Sequence, residues 1–437
     1  MEVSTKQKRI AEIAKKFEGK PLVSLHHNID TEWMQEAYKR IKPKTSPGVD
    51  GQTLEMYEVS LGKNLADLLE RAKSGRYIAP PVKRVYIPKG DGKEQRPIGI
   101  PTIEDRILQR AVLQVLEPVY ETDFLDFSYG FRPGRSPHAA VDYLWNEFRT
   151  KNIHWIIDLD IRKFFDTMNH QHLRTFLRQR VQDGVIIRLI GKWLKAGVLE
   201  GEELSYKEEG SPQGGVISPL LSNIYLHEVL DKWFATEITP LLKGRTTIVR
   251  FADDSVLGFE NEEDAERVFK VLPKRFARFG LNLHPDKTKL IYFSKPPKDY
   301  NKNKDRKRGT FNFLGFTFYW GRTRKGYWTV MRKTAKDRLQ RSIKRINDWC
   351  KQNRHECISD QLKMINSKLL GHYHYYGVTG NSRCLNSFYL VVTRTWKKWL
   401  SRRSNKGFTW TRFNLLKKVC FILAKPKIYH SVYAANP

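Results

Sequence analysis

The sequence predicts an α+β core, with an α/β arrangement as the alternative, followed by a compact bundle of basic helices. Three observations carry this. Segments of helical period alternate with segments of strand period up to about residue 294. Aspartates interrupt two of the strand-like segments, at Asp158 and Asp160 and again at Asp253-Asp254. The charge is also uneven: of the net +31 on 437 residues, +26 falls in residues 301–437, where 31 Lys and Arg face 5 Asp and Glu.

Taken in order, residues 1–43 read as helical. Ile10, Ile13, Ala14 and Phe17 share one face, and Trp33, Ala37 and Ile41 share another. Thr45-Ser-Pro-Gly-Val-Asp-Gly51 is turn chemistry. Arg84–Pro88 reads as a strand, closed by the turn Lys89-Gly-Asp-Gly92. Glu104–Val119 is a helix with Ile107, Ala111, Val112 and Val115 inward. His154–Ile161, Thr247–Phe251 and Ser255–Phe259 alternate as strands, and Ala265–Phe279 returns to helical spacing. Lys295–Gly309 is polar and basic, an exposed loop. Phe311–Tyr319 reads as a strand, and Thr334–Cys350, Ser359–Leu370 and Leu385–Leu400 as helices. No internal repeat is present.

A content of 40% hydrophobic and 12% aromatic residues marks a globular chain, long enough for two or three domains with real cores. No run approaches the ~20 apolar residues of a membrane helix. The N-terminal residues lack the apolar stretch of a secretory signal. Cys350, Cys357, Cys384 and Cys420 form no Cys-x-x-Cys pair, which fits reduced thiols in a cytoplasmic protein and not a zinc site. From Gln361 onward there is no acidic residue. So one-sided a span repels itself unless a polyanion binds it, and nucleic acid is the expected partner.

Carboxylates within apolar strands are costly to bury unless a cation pairs with them. Magnesium prefers oxygen ligands, and magnesium pairs commonly serve phosphoryl transfer. Period 2 places Asp158 and Asp160 on one face, so chemistry leaves open which of them binds metal. Asp253-Asp254 lies between two short apolar runs, where a hairpin puts the pair at its tip. Taken alone, such a pair is more often a solvated turn.

The motifs around these aspartates resemble the reverse transcriptase–maturases of group II introns across nearly the whole chain. They are Gly48-Val-Asp-Gly51, Tyr86-Ile-Pro-Lys89, Arg96-Pro-Ile-Gly-Ile-Pro101, Tyr129-Gly-Phe-Arg-Pro-Gly-Arg-Ser136 and Asp160-Ile-Arg-Lys-Phe-Phe-Asp166. Gly210-Ser-Pro-Gln-Gly-Gly-Val-Ile-Ser-Pro219, Phe251-Ala-Asp-Asp254, Gly280-Leu-Asn-Leu-His-Pro-Asp-Lys-Thr288 and Phe313-Leu-Gly-Phe316 follow in the same order. Gly371-His-Tyr-His-Tyr-Tyr-Gly377 and Trp399-Leu-Ser-Arg-Arg-Ser404 resemble the maturase region.

The resemblance implies a right-hand polymerase. An N-terminal helical extension would span 1–45, fingers and palm 46–320, a thumb/maturase domain 321–400, and a short basic nucleic-acid-binding segment 401–437. Asp160, rather than Asp158, would bind metal together with Asp253, with Asp254 beside it and the Ile161 carbonyl as a further ligand. These would hold two Mg2+ ions, which Mn2+ can replace, about 4 Å apart. Lys89 and Arg96 would clamp the triphosphate, Gln213 would contact the nucleotide, and Phe165 would exclude a ribose 2′-hydroxyl while Phe164 packs in the core. The family usually has Tyr where this chain has Phe251, a change that keeps the ring.

Arg132 and Arg135 are expected at template phosphates or as supports of a turn. Lys336, Arg341, Lys344 and Arg345 suit a thumb that tracks the duplex backbone. His372 and His374 are expected to pack or to stack on RNA. Trp396, Trp399, Trp410 and Phe413 are expected to stack on bases or to form the thumb core. The implied activity is DNA synthesis on an RNA template from dNTPs and a DNA primer, with binding, splicing and retrohoming of a group II intron RNA. No HNH endonuclease pattern follows the maturase motifs, so the implied primer end is made elsewhere. A splicing-only RNA-binding protein, a polymerase recruited for defence or repair, and a DNA-templated polymerase are the alternatives.

Overall fold

Alternating apolar residues between turn formers give this chain eleven strands among its described residues. They are β1 (Val82–Lys89), β2 (Glu94–Ile100), β3 (Trp155–Leu159), β4 (Val198–Glu200), β5 (Glu203–Ser205), β6 (Thr246–Phe251), β7 (Asp254–Phe259), β8 (Lys289–Tyr292), β9 (Phe311–Phe313), β10 (Phe316–Arg322) and β11 (Trp328–Thr334). The computed structural model describes residues 2–90, 94–201, 203–205, 210, 214–300, 306–403, 407–419 and 422–432. The sheets run in the orders β2-β1-β4-β5, β6-β7-β3-β8 and β11-β10-β9. Mixed strands and helices make the fold α+β. The chain divides into two compact units, residues 1–140, 159–257 and 263–289 forming the first and residues 141–158, 258–262 and 290–437 the second.

In the first unit, β1 and β2 pair antiparallel from Lys83↔Ile100 to Lys89↔Glu94. The helix Ile103–Tyr120 follows at once, because the Thr102 hydroxyl accepts from the Asp105 amide and Glu104 and Asp105 fall in its first turn. It is buried on nearly every side, its Asp105, Arg106, Gln109 and Gln114 included, and is therefore central. The N-terminal helices Val3–Lys16 and Thr31–Lys39 pack on it, and Trp33 Nε1 donates to the Ala111 carbonyl at 2.9 Å. The predicted helical stretch 1–43 is thus two helices separated by Phe17–Asp30.

In the second unit the strand expected over Phe311–Tyr319 is two strands. Leu314 and Gly315 both have positive φ (49° and 79°) and reverse the chain, so that Phe316 pairs with Phe313. Gly315 fits that backbone at no steric cost, while the non-glycine Leu314 carries the strain. Thr334, expected to open a helix, is the last residue of β11 and pairs with Phe316; the helix begins at Lys336. Helices Lys336–Gln352, Ile358–Tyr376 and Ser382–Leu400 pack on one another. Ile346, Cys350, Ile365, Leu369, Tyr373, Leu385, Phe388, Val392 and Trp396 share their core.

That core settles several expectations about aromatic residues. Trp396 is buried and donates to Gln361 Oε1, Trp399 is buried and donates to Asn347 Oδ1, and Phe413 is buried with its ring against those of Trp396 and Phe408. Trp410 is exposed and sits under Lys397. His372 stacks on Phe388 with ring centroids 3.9 Å apart, and burial pushes its imidazole down to about 4. It is therefore an uncharged core residue at neutral pH. His374 lies against Tyr429. Cys350, Cys357 and Cys384 are in no disulfide. No helix among the described residues is long and apolar enough to cross a membrane.

Candidate active site

Asp160 lies one residue beyond β3, where a second segment of the first unit pins it. The His284 amide donates to the Asp160 carbonyl at 2.8 Å. The Thr288 hydroxyl lies 3.3 Å from the Asp160 amide and 3.2 Å from its carbonyl. The Arg162 amide donates to the Asn282 carbonyl at 2.8 Å. Lys287 Nζ is 3.4 Å from the Asp160 carboxylate, a long contact between half-exposed groups that contributes little to stability. Lys287 and Thr288 were not singled out as functional in the sequence, although they close the Gly280–Thr288 motif.

Asp253 lies in the turn joining β6 to β7, two hydrogen-bonded neighbours. Asp254 is the first residue of β7 and is exposed. Ala252, which precedes the pair, has φ +57° in the left-handed region. Burial pushes the Asp253 carboxyl above its ordinary range, and the negative charge of Asp160 pushes the same way. Arg96 and Arg250 pull against both. Asp160 and Asp253 are thus within electrostatic reach of each other although 93 residues separate them in sequence. Among the described residues no three His, Cys, Asp or Glu side chains are gathered as for one metal ion, so Asp254 does not complete a three-carboxylate cluster. Two hard oxygen donors that destabilise each other when charged fit a divalent cation such as magnesium. Ile161, beside Asp160, is buried and bridges to Leu283.

The surrounding loops are held by backbone contacts. Phe164 is buried with its ring 6.3 Å from that of Tyr225, whereas Phe165 is half-exposed. A Cβ on Gly210 would lie 2.8 Å from the Phe165 carbonyl oxygen, and the Gly210 amide donates to the Met168 carbonyl at 2.9 Å. A Cβ on Gly214 would lie 2.4 Å from the Gly99 carbonyl oxygen. Glycine is needed at both positions because backbone, which cannot move aside, occupies the space. Gln213 lies outside the described residues. Arg96 is exposed on β2 opposite Ile87; Lys89 ends β1, and its side chain is outside the description.

Of the two roles expected of Arg132, template-phosphate contact and support of a turn, the structure favours the second. Arg132 is buried, with its guanidinium forked onto Glu121 and donating to the carbonyls of Leu125 and Ser128 at 2.7 and 2.8 Å. It supports the turn after Tyr129 and has no free edge for a phosphate. Arg135 pairs with Asp126 at 2.7 Å and covers the Tyr129 ring. In the second unit, Lys336, Lys344 and Arg345 are exposed along the helix Lys336–Gln352, while Arg341 is half-buried and reaches Asp337 at 3.4 Å.

A buried carboxyl, Asp105, lies close to Ile217. Tyr77 Oη donates to Asp105 at 2.7 Å and Gln109 donates at 3.0 Å, and the Ile217 amide donates to Gln109 Oε1. Burial pushes Asp105 up to about 6 from 3.8. The folded chain therefore keeps a proton that the unfolded chain has released. This stability is fully present below about pH 3.8 and is lost as pH rises through about 6, a swing of about 3 kcal/mol. Urea unfolding of wild type and Asp105→Asn between pH 4 and 7 should show this slope in the wild type alone. Equal slopes would rule it out.

The reverse transcriptase (RNA-dependent DNA polymerase) family model matches residues 87–318, which contain the pinned Asp160 and the β6–β7 turn. The chain belongs to this family. It is 38% identical over 300 residues to Protein YkfC of Escherichia coli K12, covering 59% of this chain and 76% of that protein. It is 35% identical over 223 residues to the group II intron-encoded protein LtrA of Lactococcus lactis subsp. cremoris, covering 49% and 37%. It is 30% identical over 193 residues to nuclear intron maturase 4, mitochondrial, of Arabidopsis thaliana, covering 40% and 24%. The matches therefore span about three quarters of the first relative and well under half of the other two.

Proposed function

We propose that this chain is an RNA-directed DNA polymerase that also binds a group II intron RNA, promotes its splicing and copies it. The observation that carries the polymerase reading is the Asp160–Asp253 carboxylate pair, held on two separately pinned segments of the reverse transcriptase region. The intron reading rests on the relatives named as an intron-encoded protein and an intron maturase.

In this reading Asp160 and Asp253 hold two magnesium ions, with the Ile161 carbonyl as a further oxygen and Asp254 alongside. When bound, such a pair activates the primer 3′-hydroxyl and neutralises charge on the triphosphate. Arg96, whose charge already reaches Asp253, orients the triphosphate through paired hydrogen bonds, assisted by Lys89. Phe165 bounds the sugar, and Gln213 contacts the nucleotide. Lys336, Lys344 and Arg345 bind phosphates without reading sequence, so affinity falls as salt rises.

The test is primer extension by the purified chain with magnesium and dNTPs on matched RNA and DNA templates. Long products on RNA are expected. Extension confined to DNA would replace this reading with a DNA-templated polymerase. No extension together with tight intron RNA binding would leave the splicing role alone.

A further inference from the structure

Arg250 is fully buried, and every one of its N–H donors is used. Nε and one Nη hydrogen go to the two oxygens of Asp231, itself fully buried. The other donors go to Asn223 Oδ1 at 2.9 Å, Ser128 Oγ at 2.7 Å and the Ala252 carbonyl at 3.1 Å. Only the last of these lies in the turn that carries Asp253. The partners are in turn tied to the strip beside that turn. Asn223 Nδ2 donates to the Gly130 carbonyl at 2.6 Å, and the Tyr129 amide donates to the Arg250 carbonyl at 2.8 Å. A Cβ on Gly130 would lie 2.2 Å from the Ala252 nitrogen, so the strip presses directly on the turn. Asp231 itself ends a π-helical turn, His227–Asp231, a geometry often found at functional positions.

Alanine in the left-handed region is unfavourable unless its surroundings hold it there. A planar fork anchored on a buried carboxylate can supply that hold, whereas a lysine could reach one or two of the same acceptors.

We propose that Arg250 is a positioning residue of the polymerase centre. By gripping the Ala252 carbonyl while anchored on Asp231, Asn223 and Ser128, it keeps residue 252 left-handed and sets where the Asp253 carboxylate stands. This rests on the polymerase reading above, and wild-type primer extension is the control that separates failure of that reading from failure of this one.

The experiment compares wild type, Arg250→Lys and Arg250→Lys with Ala252→Gly, in kcat, KM for dNTP, half-saturating Mg2+ and primer–template Kd. Arg250→Lys is expected to lose at least tenfold in kcat and to need several-fold more Mg2+, with Kd and KM changed less than threefold. Glycine adopts positive φ freely, so Ala252→Gly should restore part of the lost kcat. Wild-type kcat and Mg2+ dependence in folded Arg250→Lys would overturn the proposal, as would a loss that glycine leaves untouched. If Arg250→Lys does not fold, Asn223→Ala keeps the Arg250–Asp231 pair and removes two of the ties. It should then show a several-fold loss of kcat with the same Mg2+ shift, and normal values would overturn the proposal.

Discussion

Asp253→Asn is expected to lower primer extension about a thousandfold or more, equivalent to ~4 kcal/mol at the transition state. The substitution keeps the shape and removes the charge that would hold a divalent ion. It also removes a carboxyl that the fold disfavours in its charged form, because burial and Asp160 both push Asp253 upward. Above the ordinary carboxylate range, the folded state resists ionisation that the unfolded chain accepts, so the wild type loses stability there as pH rises. The thermal midpoint of Asp253→Asn at pH 7 should therefore equal or exceed that of wild type while activity disappears. Loss of function with gain of stability marks a functional carboxylate. Retained extension, or a midpoint well below wild type, would contradict the assignment.

Asp231→Ala is expected to cost about 3–5 kcal/mol in unfolding free energy, because it strands the buried Arg250 guanidinium without a counter-ion. Removing one member of a buried pair costs far more than the pair itself contributes, since the remaining charge has neither water nor a counter-charge, and the neutral acceptors left to Arg250 do not replace one. Urea unfolding of the whole chain measures the change. A loss below about 1 kcal/mol would mean that water or a rearranged side chain reaches Arg250, and that the anchor described for the Asp253 turn is not needed.

Much of the candidate site was legible in sequence because its signals are local. The apolar runs on either side of Asp253-Asp254 become β6 and β7, with Asp253 in the turn between them and Asp254 opening β7. The helical period of Leu385–Leu400 survives almost intact as Ser382–Leu400. Another feature misled for an equally local reason. The Phe311–Tyr319 pattern is uninterrupted to the eye, yet Leu314-Gly315 folds it into two antiparallel strands. At Arg132 the sequence leaves phosphate contact and turn support both open, and only its enclosure by Glu121 and two carbonyls favours the second.

By itself, then, the sequence determined the mixed α+β class, the two places where carboxylates break into strands, and a basic, acid-free C-terminal region suited to a polyanion. Its ordered motifs pointed to the reverse transcriptase family. Only the tertiary structure decided which charges are working parts of the interior. Arg250 meets partners 19, 27 and 122 residues away, and Asp160 is pinned by groups from His284 to Thr288. Periodicity reports which face of an element is apolar. Whether a charged group can be buried depends on partners that the chain brings together only when it folds.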